Sequence, residues 1–213
     1  MKIKYRNFAL ASLILILLIP ILPISWNNSQ KNEKSPFSLL SFKKRPYMNG
    51  LTHGPVSITS NSDFETDDSV VGGDGSASNP YIIANWTIDA SNSGNCISIQ
   101  DTTAYFLIKN CTLLNSGSLT SNAGIYLWNA GNGTIYNNTI LNNQNGIFYQ
   151  TDCDNNVILN NTFLNNNGGI IVRYSEFNSI SGNFIFNNSG SGIGLTNTIS
   201  TTVSNNIILN STE

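Results

Sequence analysis

The chain has 213 residues, a formal net charge of −2 and only 10% charged residues. That is length for one sizeable domain or a small one with attachments, and the charge excludes both a basic nucleic-acid footprint and an acidic solvating tail. Polar cover comes from amides and hydroxyls instead, with 35 asparagines, which leaves one histidine (His53) and three cysteines (Cys96, Cys111, Cys153) for chemistry.

In chain order, Lys2, Lys4 and Arg6 precede an uncharged apolar run from Phe8 to Ile24. A positive start followed by such a run is the pattern of a secretion signal. A comfortable span needs about 20 apolar residues, so an uncleaved anchor is the second reading and a cytosolic hydrophobic segment the third. Pro20 and Pro23 weaken the end of the run, and "SWNNSQ" is a poor cleavage site. Residues 1–24 are therefore expected to act as signal peptide or signal anchor, placing the rest outside the cytoplasm, secreted or anchored at the surface. Residues 25–50 have no period and read as a linker. Residues 51–93 read as N-terminal strands with a lead-in segment: Val56 and Ile58 alternate with polar neighbours, and "VVGGDGSASNP" is turn-rich before "YIIANWTID".

From residue 94 to 213 the sequence repeats. Ile97, Ile125, Ile147, Ile170 and Ile193 are spaced by 28, 22, 23 and 23 residues. Ile99, Leu127, Tyr149, Val172 and Leu195 follow two residues later. Ile108, Ile135, Ile158, Ile180 and Val203 make a third apolar column, and Leu113, Ile140, Phe163, Ile185 and Ile208 a fourth. The extra residues of the first repeat fall in "SGSLTSNA", a loop. Each repeat holds three short segments between Gly, Asn, Ser or Asp, too short for helices and rich in β-branched residues. One such unit cannot bury its apolar face alone, but a stack can. The expected fold is all-β: a parallel β-helix of about five coils of 22–23 residues, three short strands per coil, right-handed by the crossover rule. A leucine-rich repeat has a similar period but needs a helical return for which the Asn-rich turns leave no room.

The rows "GIYLWNAGNGTIYNNTILNNQ", "GIFYQTDCDNNVILNNTFLNNN" and "GIIVRYSEFNSISGNFIFNNS" resemble the right-handed parallel β-helix repeat family, nearest to its NosD-like group within the pectate-lyase-like superfamily. "GGDGSASNPYIIANWTIDAS" is similar to the segment that precedes such coils. The resemblance implies the fold and three functional classes: an exported binding or scaffold module, a polysaccharide lyase or glycoside hydrolase, or a periplasmic accessory protein. Fold alone does not choose among them. The copper chemistry of the accessory class wants His, Cys or Met, and the coils hold neither His nor Met.

Two asparagine columns run through the repeats. Asn138, Asn161, Asn183 and Asn206 form one, with Cys111 in the first coil; Asn115, Asn142, Asn165, Asn187 and Asn210 form the other. Strand alternation from Ile140 sends both columns inward as structural ladders, stacked amides pairing coil to coil. N-x-[ST] sequons occur at Asn27, Asn85, Asn110, Asn132, Asn137, Asn160, Asn187 and Asn210. Inward placement bars glycans from Asn187 and Asn210 and directs them to turns such as Asn132.

The candidate functional face lies just after the first strand of each coil. Gln100, Trp128, Gln150, Arg173 and Thr196 form one outward column, and Asp101, Asn129, Thr151, Tyr174 and Asn197 the next. Trp128, Gln150, Arg173 and Tyr174 suit a polysaccharide or cell-surface glycan; the bland alternative is a solvated flank with an Arg173–Glu176 pair. Glycoside hydrolysis needs two carboxylates about 5 to 9.5 Å apart. Asp152, Asp154 and Glu176 are the available set, and they also offer weak Ca²⁺ ligands. No other cofactor and no metal centre is expected. Asp67 and Asp68 with "GGDG" at 72–75 are similar to a Ca²⁺-binding turn, with a plain tight turn the favoured reading. Cys96 and Cys111 either bridge or remain buried thiols, and His53 is structural or exposed. The segment "NIILNSTE" carries no amphipathic cap, so either the chain is truncated or a partner covers the open end, and end-to-end self-association is the expected form of such cover; the N-terminal run supplies any membrane contact.

Overall fold

The computed structural model describes residues 51–211. The signal or anchor at 1–24, the linker at 25–50 and Asn27 lie outside the described residues. No helix among the described residues is long and apolar enough to cross a membrane.

Short strands separated by corners wind into three sheets, as the three segments per repeat predict. The first sheet runs β1 (Leu51–His53), β5 (Trp86–Asp89), β8 (Thr112–Leu114), β11 (Thr139–Leu141), β14 (Thr162–Leu164), β17 (Phe184–Phe186) and β20 (Ile207–Leu209). The second runs β2 (Val56–Ile58), β6 (Ile97–Thr102), β9 (Ala123–Ala130), β12 (Asn145–Tyr149), β15 (Gly168–Arg173) and β18 (Ile193–Thr196). The third runs β3 (Val70–Gly72), β4 (Tyr81–Ala84), β7 (Phe106–Lys109), β10 (Gly133–Tyr136), β13 (Val157–Leu159), β16 (Ser179–Ser181) and β19 (Thr202–Ser204). The strands pair in parallel, except β3 with β4. The five repeats of the sequence are preceded by a sixth coil made of β2, β4 and β5. Short α1 (Asp63–Thr66) seats Phe64 in the core at that end, stacked on Tyr81 with ring centroids 4.7 Å apart.

The predicted apolar columns are the core. Ile97, Ile125, Ile147, Ile170 and Ile193 pair in register up the second sheet, and Leu113, Ile140, Phe163, Ile185 and Ile208 up the first. Each fully buried member contributes about 1.5–3 kcal/mol of burial. Glycine is required beside them: a Cβ on Gly146 would lie 2.6 Å from the Gly169 carbonyl oxygen and 2.5 Å from the Phe163 ring. Val203 and Ile208 belong to the last described coil and are 44% exposed.

One asparagine column is where alternation put it. Asn138, Asn161 and Asn183 are buried, and each Oδ1 accepts the backbone N–H of the rung before it, from Cys111, Asn138 and Asn161, at 2.9 Å. Asn206 continues the series by accepting from the Asn183 N–H at 2.9 Å. Each Nδ2 donates to the preceding coil's third-sheet carbonyl, as Asn161 does to Ile135 at 2.9 Å.

The other column is displaced by one residue. Asn115, Asn142, Asn165, Asn187 and Asn210 are not inward rungs: their φ values are +57°, +56°, +54°, +56° and +52°, and Asn142, Asn165, Asn187 and Asn210 are exposed. A left-handed residue turns the corner and breaks the alternation, so the next residue points in. The second ladder is therefore Ser116, Asn143, Asn166 and Asn188, joined by N–H to Oδ1 bonds of 2.9 Å. Asparagine suits both posts, because it tolerates the left-handed region better than other side chains with a Cβ and carries donor and acceptor on one short amide. The bar on glycans at Asn187 and Asn210 falls with this correction; the sequon residues within 51–211 all sit at left-handed corners.

The three cysteines are free and buried, so the Cys96–Cys111 bridge does not form. Cys111 begins the first ladder, and Cys96 occupies the column held by Gly124, Gly146 and Gly169 in later coils. Burial pushes the thiols of Cys96 up to about 12 and of Cys111 and Cys153 to about 11.

Candidate functional site

The outer face of the second sheet carries the candidate residues. Gln100 pairs with Trp128, and Arg173 with Thr196, as the expected column requires. Trp128 is 40% exposed and Tyr174 55%. The adjacent column was expected to run through Thr151. Instead Asp101, Asn129, Asp152, Tyr174 and Asn197 hold the left-handed corner positions, so Asp152 takes the place given to Thr151. That coil carries one residue more before its corner: Tyr149 to Asp152 is three positions, where Leu127 to Asn129 and Val172 to Tyr174 are two.

Two residues that the sequence reading passed over complete the face. Tyr126 and Phe148 are cross-strand partners on β9 and β12, and their rings stack in parallel at 6.2 Å. The Arg173 guanidinium lies 5.0 Å from the Phe148 centroid, a cation–π geometry. The Tyr126 hydroxyl donates to Gln150 Oε1 at 2.9 Å. The expected Arg173–Glu176 pair is not present: among the described residues the one ion pair is His53–Asp68. The signal for Tyr126 and Phe148 was the alternation itself, since each stands two residues before Trp128 or Gln150 and shares its face.

The three candidate carboxylates are unequally free. Asp154 Oδ1 accepts the Glu176 backbone N–H at 2.6 Å, which ties Asp154 into a turn. Asp152 is exposed at its corner and Glu176 half-buried. The "GGDG" segment is a tight turn: Gly73 and Gly75 have φ of +97° and +77°, and Asp74 Oδ1 accepts the Ser76 N–H at 2.9 Å. Asp67 accepts from the Ser69 backbone N–H at 2.9 Å. These carboxylates build turns.

Parallel coils stacked in three sheets around a dry core, with amide ladders inside and an aromatic column outside, define a β-solenoid. The chain belongs to the right-handed β-helix family: the model of the right-handed beta helix region matches residues 55–208. No curated protein and no solved structure matches the chain.

Proposed function

We propose that the coils form an exported binding module whose second-sheet outer face holds a carbohydrate chain. The observation that carries this reading is the stack of Tyr126, Phe148 and Arg173, flanked by Trp128 and Gln150. Phe148 is buried beneath Arg173 and backs the stack, while the rings of Tyr126 and Trp128 offer apolar contact to sugar rings at low entropic cost and the guanidinium, amide and phenol supply hydroxyl partners. Tyr174 adds support. It holds a left-handed φ of +45° at a corner where other coils place Asn or Asp, and it does so largely exposed. An aromatic residue kept in that strained conformation without core contacts points to an outside partner. Export rests on Lys2, Lys4 and Arg6 before the apolar run Phe8–Ile24.

The test is to incubate the protein with a polysaccharide panel, with and without Ca²⁺, and to follow both retention and chain length. Retention without shortening supports the module, and Trp128→Ala and Gln150→Ala should each weaken it about tenfold. Shortening that Asp152→Asn abolishes would establish the enzyme reading instead. No retention on any polymer overturns the carbohydrate assignment.

A further inference from the structure

The chain's single histidine stands where its two ring nitrogens both meet oxygen acceptors. His53 Nδ1 lies 2.7 Å from the Gly54 carbonyl oxygen, and Nε2 lies 2.9 Å from Asp68 Oδ1. A carbonyl and a carboxylate only accept. A neutral imidazole has one N–H, so it satisfies one of these contacts and turns a lone pair on the other oxygen. Only the imidazolium donates to both. The Asp67 carboxylate also lies close, with the three groups' ligand-type atoms within 4.8 Å of one another. Trp86 of β5 packs against the ring at 5.0 Å. The charged groups facing His53 are thus Asp67 and Asp68, both from the bend after α1, and β5 offers an indole.

His53 ends β1, which pairs with β5 at the edge of the first sheet. Asp68 belongs to the bend whose Ser69 carbonyl accepts the Trp86 indole N–H at 2.8 Å. The imidazolium therefore ties an edge strand to a bend that is otherwise fastened to β5. We propose that His53 is a pH-operated clasp that holds β1 against the solenoid while protonated and releases it as the proton leaves.

The direction follows from linkage. Partial burial pulls the imidazole pKa down, but the hydrogen bonds to Gly54 and Asp68 and the charges of Asp68 and Asp67 outweigh it, and the pKa is raised. A raised folded pKa gives stability that is complete below the unfolded value of about 6.5 and is lost as pH rises through the folded one. β1 is held at mildly acidic pH, where Asp68, its carboxyl lowered by the hydrogen bond to His53 and the His53 charge, is still ionised, and it is freed toward alkaline pH.

Imidazole ¹⁵N spectra of the full-length protein contain one histidine, so its titration reads the clasp directly, with the urea-unfolded chain as reference. The expected result is a folded pKa above that reference. Amide protection of Leu51–His53, corrected for intrinsic exchange, should fall through the same pH. Asp68→Asn, at an exposed position, should lower the pKa and flatten the β1 profile. A folded pKa at or below the reference, β1 protection that ignores the titration, or an unchanged profile in Asp68→Asn each overturns the clasp.

Discussion

Asn142 and Asn143 are neighbours in the chain and belong to different regions of the molecule. Asn142 is exposed, left-handed and turns a corner. Asn143 is buried, and its amide accepts the Ser116 N–H at 2.9 Å and donates to the Leu113 carbonyl at 3.2 Å. The outer column uses asparagine for what its backbone tolerates, the inner ladder for what its side chain bonds. An inner rung between two others should therefore be irreplaceable by any residue lacking the amide, unlike Cys111 and Ser116 at the heads of the ladders, and an outer corner replaceable by glycine.

The largest effect is expected inside. Asn161→Ala orphans the Asn138 N–H and the Ile135 carbonyl in a dry core, and urea unfolding should show a loss of about 3 kcal/mol or more. Asn142→Ala keeps the core intact and forces a Cβ without a compensating side chain into the left-handed region, at about 1 kcal/mol. An Asn142→Ala loss equal to that of Asn161→Ala would erase the distinction between the columns. Cys111→Asn places an amide at the head of the first ladder, and a change within about 1 kcal/mol is expected if the site holds a rung. The same variant sharpens the alkaline response. The folded thiol pKa values of about 12, 11 and 11 exceed the unfolded value of about 8.5, so each thiol's contribution is lost as pH rises above that unfolded value. Removing Cys111 should make the fall in stability between pH 8 and pH 10 shallower. Smallest of all, Asn142→Gly should lie within about 0.5 kcal/mol of the parent, since glycine enters the left-handed region freely.

The coils, the core columns and the first ladder were legible because strand alternation is a strong signal wherever a β-branched residue marks the inner face. The second ladder was not, because alternation was carried from Ile140 through a corner that resets it. The correcting signal was present as doublets: 137–138, 142–143, 160–161, 165–166, 187–188 and 205–206 are all Asn-Asn. In each pair the first residue bends and the second bonds. Thr151 was misplaced for Asp152 for a different reason, the one extra residue that this coil holds between Tyr149 and its corner. On the candidate face Trp128, Arg173 and Tyr174 were found because they are conspicuous. Tyr126 and Phe148 share that face by the same alternation and were passed over; that Arg173 covers the Phe148 ring is visible only in the packed structure.

The corners also act as a counting rule. Coils of 22 or 23 residues keep several registers at once, because the one-residue difference falls at a corner, as Thr151 does before Asp152, and the apolar columns, the glycine column and the two amide ladders stay aligned from coil to coil. One added residue in a strand would put all of them out of frame together. The 28-residue spacing of the first repeat escapes because its surplus leaves the barrel between β8 and β9, where Ser118, Leu119 and Thr120 are exposed. Asn122 restores the frame by donating its N–H to the Leu119 carbonyl at 2.8 Å before β9 begins. New chain can be grafted there without the solenoid registering it, which makes residues 118–120 the natural port for added function in this protein.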